Sequence, residues 1–267
     1  MEEADRALSR LLANLREAPP LAIAVSGGVD SMTLASVAHR HSEVRPIMIH
    51  AVSPAVPSSA RAVIDSHAAT EGWDLTILDA GEQNDPRYRA NPYNRCYFCK
   101  SNLYGTIRAT TERTIASGTN LDDMAEHRPG LIAAGEHDVL HPFVAARIDK
   151  ATIRAIARSL GLTQFAELPA QPCLASRIET GIAIVQRDLA FIDRTEREAR
   201  ACIGQDETVR VRLRRDGVHL EVGRVLAAGE QAALEAVMMR ASAAEDRTFI
   251  GISPYRTGSA FVRNAGP

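Results

Sequence analysis

Long apolar runs, cysteine and an excess of charge of one sign are all scarce in this sequence. Its 267 residues carry a net charge of −2 at neutral pH, so the overall charge gives no attraction to nucleic acid or to an anionic membrane. No apolar run approaches the roughly 20 residues that a membrane-spanning helix needs. The segment 1–20 is charged and amphipathic, which argues against a secretory signal. We therefore expect a cytoplasmic protein without a nucleic-acid or membrane partner.

Four cysteines occur, and their spacing is informative. In the reducing cytoplasm cysteines rarely form structural disulfides, so metal or redox chemistry is the better expectation. Cys96 and Cys99 have the spacing at which two thiolates on one turn reach the same metal ion or cluster. Cys173 is the best candidate for a third ligand. Cys202 is expected to be a buried, apolar cysteine at the end of a helix.

The residues alone leave four interpretations of these cysteines open. Three thiolates suit a [4Fe–4S] cluster in which one iron has no protein ligand. Zinc bound by the three cysteines and one histidine, His127 or His141, is a second interpretation. A redox or reactive thiol pair is a third, although Cys96 and Cys99 do not stand at the start of a βαβ unit. The fourth is a set of unrelated structural cysteines.

Strand and helix patterns alternate along the first part of the chain. The apolar pattern predicts an amphipathic helix over 3–17, a helix from about Lys100 to Thr111 and another over 149–162. Four short apolar runs predict strands, over 21–25, 45–53, 74–80 and 114–120. Strands that alternate with helices in this way indicate a parallel sheet covered on both faces.

The pattern changes near Pro169, where a loop rich in proline, alanine and serine begins. A helix over about 185–202 is followed by an alternating segment that predicts a β-hairpin around the Asp216-Gly217 pair. A last strand is predicted over 247–253. We therefore expect two domains, an α/β nucleotide-binding domain over 1–170 and a smaller α+β domain for substrate binding or oligomerisation over 171–267.

The stretch VSGGVDS, residues 25–31, lies where the first predicted strand meets its helix. Glycines at such a junction let backbone N–H groups approach a phosphate, and the helix N-terminus adds partial positive charge. The loop lacks the lysine of the GxxxxGK[ST] loop, which binds the γ-phosphate in other enzymes. A glycine turn capped by serine and aspartate is the structural alternative.

This loop resembles the PP-loop of ATP pyrophosphatases, which cleave ATP between the α- and β-phosphates. The resemblance implies an adenine nucleotide α-hydrolase-like fold, with ATP and Mg²⁺ as cofactors. It also implies that Asp30 lies near the phosphates and helps to hold the metal ion. The residues implied to bind pyrophosphate are Ser26, Gly27, Gly28 and Ser31.

Motifs over nearly the whole chain, from about residue 5 to 260, resemble the LarE family of ATP-dependent sulfur transferases. They are SGGVDS, NPYNRCYFCK, SGTNLDDMAEHRPG, HPF, KATIRAIARSLGL, PCLASRIETG and VRVRL. Members activate the carboxylates of pyridinium-3,5-biscarboxylic acid mononucleotide with ATP and replace oxygen with sulfur, in making the nickel-pincer nucleotide cofactor. Some sacrifice a cysteine, whereas others carry three cysteines and a [4Fe–4S] cluster. Cys96, Cys99 and Cys173 resemble the second type, with sulfide or another sulfur donor as co-substrate.

The resemblance also gives roles to charged residues. Lys100 is implied to face phosphate or the activated carboxylate, with a solvated helix lysine as the alternative. Asp122 and Asp123 follow the fourth predicted strand, at the edge where parallel sheets bind ligands, and Asp123 is implied to contact the nucleotide. A helix N-cap is the alternative for this pair. Glu221 occupies a position where the family often has an acidic group near bound metal.

Four arginines are implied to contact the anionic substrate: Arg128, Arg177, Arg210 and Arg212. The last two would clamp the 5′-phosphate, because guanidinium groups match phosphate oxygens. Structural loop arginines and a solvated, charged strand edge are the alternatives. Gly251 stands where the family commonly has aspartate, whereas Arg256 is retained. The family also implies a hexameric homo-oligomer.

Three rival functions remain open from the sequence. Another PP-loop enzyme that thiolates tRNA should carry a broad basic surface, against which the net charge argues. An ammonia-dependent amidating ligase has no need of three placed cysteines. A non-catalytic nucleotide sensor with structural zinc belongs to a different class, and the metal content of the protein distinguishes it.

Overall fold

The computed structural model describes residues 2–124, 129–169 and 172–261. The chain forms two compact units. The first consists of Met1–Ser53, Ser58–Glu82 and Asn94–Ala170, and the second of Pro54–Pro57, Gln83–Tyr93 and Gln171–Pro267. The second unit therefore also contains two short segments from the first hundred residues.

The described residues contain the following helices in chain order. They are α1 Glu2–Glu17, α2 Val29–His41, α3 Ser58–Glu71, α4 Pro86–Arg89, α5 Arg95–Thr110, α6 Leu121–Met124, α7 Pro129–Glu136, α8 Pro142–Ala145, α9 Lys150–Ser159, α10 Thr163–Ala166, α11 Gln186–Ile203 and α12 Ala228–Ala243. In this part of the chain no helix combines the length and the apolar character needed to cross a membrane.

Four parallel strands form the sheet of the first unit, in the order β3-β2-β1-β4. Their bounds are β1 Leu21–Ala24, β2 Ile47–Val52, β3 Leu75–Asp79 and β4 Thr114–Ala116. Ala22 and Ile23 in β1 are fully buried, because this strand lies inside the sheet and the unit's helices cover it. The predicted α/β fold with a parallel sheet is confirmed.

Helix α5 begins about five residues earlier than the sequence pattern indicates. Asn94 stands at its N-cap position, and the Tyr97 amide donates to the Asn94 carbonyl at 2.9 Å. The segment from Arg95 to Lys100 contains neither proline nor glycine, so it continues the helix without a break. As a result, Cys96 and Cys99 lie in the first two turns of a helix and not in the loop before it.

The second unit contains a three-stranded sheet in the order β5-β6-β7. Its strands are β5 Val209–Arg214, β6 Gly217–Val222 and β7 Phe249–Pro254. The hairpin of β5 and β6 is antiparallel, whereas β7 runs parallel to β6. Because Gly217 pairs with Arg214, the two turn residues are Arg215 and Asp216, one position earlier than predicted.

Asn91 explains why residues 83–93 belong to the second unit. Its buried side-chain amide donates to the carbonyls of Glu179 at 2.9 Å and Ile182 at 2.8 Å. The backbone carbonyl of Asn91 accepts a hydrogen bond from the amide of Gly181 at 2.9 Å. Asn91 itself has a positive φ of 52°, a conformation that asparagine tolerates better than most residues. One side chain thus fixes the 179–182 loop that follows the PCLASR motif.

Candidate functional site

The loop between β1 and α2 requires glycine at position 27. Gly27 has a φ of +79°, in the left-handed region that favours glycine. A Cβ atom there would lie 2.8 Å from the Ala60 carbonyl oxygen and 3.0 Å from the Ala60 Cβ. Helix α3 therefore passes directly against the loop, and both its backbone conformation and its packing exclude a side chain.

Two serines close this loop into a tight turn. The Ser26 amide donates to Ser31 Oγ at 3.0 Å, and the two hydroxyl oxygens lie 3.1 Å apart. Ser31 Oγ in turn donates to the Gly28 carbonyl at 3.2 Å. Gly28 is the N-cap residue of α2 and provides no side-chain cap. The first N–H groups of α2 therefore have no capping side chain at Gly28 and suit an anion.

Asp30 adds a carboxylate to the first turn of α2. Lys150 Nζ, at the start of α9, donates to Asp30 Oδ2. Asp30 Oδ1 is buried and, among the described residues, has no hydrogen-bond partner. Burial raises the pKa of Asp30, the contact with Lys150 opposes the rise, and the negative charge of Asp123 adds to it. A buried carboxylate oxygen that lacks a hydrogen-bond partner in the described residues suits a hard cation such as Mg²⁺.

The turn after β4 packs against the same helix start. A Cβ atom on Gly118 would lie 2.6 Å from the Ser31 amide nitrogen and 2.8 Å from the carbonyl carbon of Asp30. Only glycine allows this approach, which gives a physical reason for glycine in the SGTN motif. The sequence did not mark Gly118 or Lys150 as site residues, because neither contact can be read from spacing along the chain.

Asp122 and Asp123 both take part in backbone hydrogen bonds. Asp123 Oδ2 accepts the Asn120 amide at 3.1 Å, as a residue at a helix start does. Asp122 Oδ2 accepts the Lys150 amide at 2.9 Å and so joins α6 to the start of α9. Asp123 also lies close enough to Asp30 to raise its pKa. Both aspartates lie inside α6, so neither is its N-cap residue; the Asp123 carboxylate instead accepts the amide of Asn120, which precedes the helix, and its charge lies near the loop.

Lys100 stands one turn after Cys96 on α5, and both residues are half-buried, as is Cys99. A Cβ atom on Gly130 of α7 would lie 3.2 Å from Lys100 Cγ and 3.7 Å from the Cys96 carbonyl oxygen. Lys100 Nζ lies 5.7 Å from the ring centroid of Tyr104, within the range of a cation–π contact. Helix α7 thus packs closely against the lysine stem beside the cysteine pair.

Arg177 in the second unit is a buried structural arginine. Its Nε and Nη2 atoms donate to the two Glu196 oxygens at 2.9 and 3.0 Å, and Nη1 donates to the Cys173 carbonyl at 3.1 Å. Burial acts to lower the pKa of Arg177, but the charge and the hydrogen bonds of Glu196, together with smaller effects of Cys173 and Tyr255, outweigh it, so the net shift is upward. This geometry matches the structural alternative for Arg177, since its bidentate partner is a carboxylate of the same unit.

Arg210 and Arg212 are only 4% and 3% exposed, so the alternative of a solvated, charged strand edge is wrong. Their guanidinium carbons lie 5.8 and 6.0 Å from the ring centroid of Tyr255. Arg212 pairs with Glu221 at 2.8 Å and donates to the Ser176 carbonyl at 3.0 Å. Burial, reinforced by the charge of Arg177, lowers the pKa of Arg210 to about 10.

Glu221 sits in an ion-pair network of the second unit. Besides Arg212 it accepts from Arg214 Nη2 at 2.8 Å and from Ser259 Oγ at 2.6 Å. These contacts occupy both carboxylate oxygens. Arg128 and His127, which the sequence put forward as an anion contact and a zinc ligand, lie outside the described residues.

The remaining cysteines are exposed. Cys173 is the N-cap residue of a short 3₁₀ helix, Leu174–Arg177. Cys202 lies in the last turn of α11, so its predicted place at a helix end is right but its predicted burial is wrong. The buried face of that turn is formed by Ala199 and Ile203. Within the described ranges, no three side chains of histidine, cysteine, aspartate or glutamate form a group that could hold a metal ion.

Sequence comparison identifies two relatives of this chain, although no family model matches it. The uncharacterized protein slr1717 of Synechocystis sp. is 36% identical over 204 residues, which covers 75% of each chain. The uncharacterized protein MJ0830 of Methanocaldococcus jannaschii is 30% identical over 196 residues, or 71% of this chain and 74% of the relative. This chain therefore belongs to the protein family that includes slr1717 and MJ0830.

Proposed function

We propose that this chain is an ATP-dependent sulfur transferase that adenylates a carboxylate and then replaces its oxygen with sulfur. The observation that carries the proposal is the loop at residues 26–31. It presents the start of α2 without a side-chain cap at Gly28, beside an Asp30 oxygen that has no partner in the described residues. Such a loop suits a phosphate chain together with its metal ion.

In this proposal the loop binds the pyrophosphate part of ATP. The N–H groups at the start of α2 and the hydroxyls of Ser26 and Ser31 contact phosphate oxygens. Asp30 Oδ1 would hold Mg²⁺, which would offset the negative charge of the phosphates. Lys150 supplies a positive charge on the other side of Asp30. The residues present therefore fit Mg²⁺ and ATP in their donor chemistry.

The first chemical step is adenylation of the substrate. A carboxylate oxygen attacks the α-phosphorus, the bond from that phosphorus to the bridging oxygen breaks, and pyrophosphate leaves with the electron pair. The protein contributes by positioning the reactants and by electrostatic stabilisation of the leaving pyrophosphate. Adenylation is needed because a carboxylate is a poor electrophile until its oxygen becomes a good leaving group.

The sulfur-transfer step is supported by the sequence resemblance. Cys96 and Cys99 lie three residues apart on α5, a spacing that fits two ligands of one cluster, and Cys173 would provide the third. When bound, a [4Fe–4S] cluster supplies a held sulfide. The substrate class is a pyridinium mononucleotide with carboxylates, and Arg210 and Arg212 are the proposed contacts for its phosphate. The proposed enzyme is a homo-oligomer.

The products of ATP turnover test the nucleotide chemistry. With a carboxylate substrate the protein should release AMP and pyrophosphate, and it should catalyse substrate-dependent exchange of labelled pyrophosphate into ATP. Quantitative separation of nucleotides by chromatography measures the products. ADP as the main product would contradict the assignment of the loop.

A matched pair of glycine variants locates that chemistry. A Cβ atom on Gly28 would contact only Ser26 Oγ, at 3.6 Å. A Cβ atom on Gly229, near the start of α12, would have no neighbour within 4 Å. Both Gly28→Val and Gly229→Val should therefore fold. Only Gly28→Val should lose ATP binding in calorimetric titration, because its side chain intrudes where phosphate approaches the backbone. Loss of binding in both variants, or in neither, would count against a phosphate site at Gly28.

A further inference from the structure

Two hydroxyls and an imidazole form a hydrogen-bonded row just beyond β4. Ser117 Oγ is 2.9 Å from His141 Nδ1 and 3.0 Å from Thr119 Oγ1. The backbone fixes this arrangement, because the Ser117 amide donates to the Leu140 carbonyl at 3.0 Å and the Leu140 amide donates to Ile115 at 2.8 Å. His141 is therefore held beside Ser117 by the main chain on either side of both residues.

This hydrogen-bonded row lies next to the phosphate loop of the same unit. Gly118, between Ser117 and Thr119, approaches so closely that its Cβ would be 2.6 Å from the Ser31 amide nitrogen. The imidazole is also near enough to Asp123 and Lys100 for both charges to influence it. His141 thus stands at the carboxyl edge of the parallel sheet, where ligands of such folds bind.

The surroundings keep the His141 ring neutral near neutral pH. Burial lowers the pKa of His141, Asp123 and the Leu140 backbone oppose that effect, and Lys100 reinforces it. If Nδ1 donates to Ser117 and Ser117 donates to Thr119, the lone pair resides on Nε2. A neutral imidazole in that tautomer can accept a proton at Nε2.

His141 differs from the core histidines of the same unit. His50 and His67 are 1% and 3% exposed and hydrogen-bond Val25 and Ser36 inside the packed unit. His141 is only half-buried, and the opposite charges of Asp123 and Lys100 both act on its ring. A purely structural histidine needs neither the partial exposure nor that pair of charges.

We propose that His141 Nε2 accepts the proton of the sulfur nucleophile during sulfur transfer, with Ser117 and Thr119 positioning the ring; this inference rests on the proposed function. Hydrogen sulfide attacks the acyl carbon of the adenylate. The sulfur–carbon bond forms, the bond from that carbon to the adenylate oxygen breaks, and AMP leaves with the electron pair. One of the two protons passes from sulfur to His141 Nε2 and then to solvent, and the other stays on the thiocarboxylic acid that forms. Asp123 stabilises the imidazolium that forms, and Lys100 is the nearby cation that favours departure of anionic AMP.

Two half-reactions separate this role from the nucleotide chemistry. Exchange of labelled pyrophosphate into ATP, measured with pyridinium-3,5-biscarboxylic acid mononucleotide and without sulfide, reports adenylation. Release of AMP on addition of sodium sulfide under anaerobic conditions reports sulfur transfer. His141→Gln should slow the sulfide-dependent rate at neutral pH by about 100-fold, the lower range for loss of a general base, and should slow exchange far less.

The pH profile gives a second readout that a structural role would not produce. In His141→Gln the sulfide-dependent rate should recover as pH rises, because hydrogen sulfide then ionises to hydrosulfide in solution and needs no protein base. Ser117→Ala should act in the same direction with a smaller effect, since the ring remains but loses its hydrogen bond. His137→Gln, which changes a half-buried histidine at the end of α7, is the matched control and should leave both half-reactions unchanged.

The outcomes are distinguishable. Equal slowing of both half-reactions in His141→Gln, or an unchanged sulfide-dependent rate, overturns the role of His141 while the proposed function stands. Absence of pyrophosphate exchange in the wild-type protein overturns the proposed function and this inference with it. Thermal unfolding of each variant identifies folding defects, and if His141→Gln does not fold, the rate and pH profile of Ser117→Ala decide the matter.

Discussion

At the scale of single residues, the arginines of β5 show why alternation along a strand does not identify its exposed face. Arg210 and Arg212 alternate with Val209 and Val211, and all four are buried. Tyr255 and the partners of the ion pairs cover the charged face, so both faces of β5 are removed from water. A guanidinium that loses its hydration needs compensation from carboxylates, carbonyls or a bound anion.

Arg210 and Arg215 form a matched pair for testing the proposed phosphate clamp. Arg210→Ala should weaken binding of the pyridinium mononucleotide by about 1.5–3 kcal/mol, or roughly ten- to a hundredfold, because a charge-assisted contact is lost. Binding of ATP should change little. Isothermal titration with each ligand measures both affinities. Arg215→Ala, in the exposed hairpin turn, should leave both unchanged.

Equal weakening of the two ligands in Arg210→Ala, or no weakening of either, would contradict the clamp. Arg212→Ala is a less clean test. Arg212 pairs with the buried carboxylate of Glu221, and loss of one partner of a buried ion pair often costs about 3–5 kcal/mol of stability. The affinity of Arg212→Ala for the mononucleotide must therefore be interpreted together with the unfolding free energy of the variant.

The sequence predicts part of the candidate site at this scale. Ser26, Gly27, Gly28, Asp30 and Ser31 are contiguous, so their place at a strand–helix junction follows from local patterns. Lys150 contacts Asp30 across 120 positions of the chain, and no spacing rule links two such residues. Gly118 belongs to a motif that the sequence displays, but its purpose depends on a distance to Ser31 that only the fold defines.

At the scale of elements, the packing of α2 against α3 buries a histidine. His67 on α3 lies 2.8 Å from Ser36 Oγ of α2, and its ring meets Trp73 and Phe165 edge-on at 4.9 and 5.0 Å. Burial lowers the pKa of His67. In β2, burial likewise lowers the pKa of His50. Both rings are therefore neutral in the folded chain at pH values where the unfolded chain already binds protons.

Acid should destabilise the first unit through these histidines. The stability that they contribute is complete above the unfolded pKa of about 6.5 and is lost as pH falls below it, because the unfolded state then binds more protons. The loss amounts to about 1.4 kcal/mol for each pH unit by which the folded pKa lies below the unfolded one. Urea unfolding between pH 8 and pH 5 measures it.

The variant His67→Gln should flatten this pH dependence, although its stability at pH 8 should be lower because the ring contacts are lost. His219→Gln is the control, since His219 lies in the second unit beside Asp216. An unfolding free energy that is independent of pH between 8 and 5 in the wild-type protein would contradict the argument.

The elements that the sequence predicts correctly are those with strong local patterns. The buried strands β1 and β2 are short apolar runs, and α9 carries its cap in the sequence, since Asp149 accepts the Thr152 amide at 2.8 Å. Helix α12 was not predicted. It is rich in alanine and its apolar residues do not form a clear stripe, so the periodicity that marks an amphipathic helix is weak.

At the scale of the whole molecule, long-range hydrogen bonds determine which segments of the chain belong to each unit, and the sequence does not display these bonds. The Leu174 amide donates to the Ala55 carbonyl at 2.8 Å, and Asn91 holds the loop around Gly181. These contacts place residues 54–57 and 83–93 with the second unit. A change in composition near Pro169 indicates where the longest segment of that unit begins, but it carries no information about the two short segments.

The metal content of the whole protein decides among the interpretations of its cysteines. Protein purified without oxygen should be brown and contain about four iron and four sulfide ions per chain, as a [4Fe–4S] cluster requires. Replacement of Cys96, Cys99 or Cys173 by serine should bleach it and abolish sulfur transfer. Pyrophosphate exchange should persist, because the phosphate loop uses none of these residues. Cys202→Ser, which alters an exposed cysteine at the end of α11, is the matched control and should keep its colour and activity.

Intact-mass measurement after turnover then separates a catalytic cluster from a consumed cysteine. If the sulfur comes from added sulfide, the protein should turn over repeatedly and all four cysteines should keep their mass. A loss of hydrogen sulfide from Cys173, which leaves dehydroalanine, would show that the protein donates its own sulfur. Colourless protein containing zinc would instead support a structural metal site. Because a catalytic cluster, a consumed cysteine and structural zinc each give a different combination of metal content and mass, one preparation distinguishes these three outcomes.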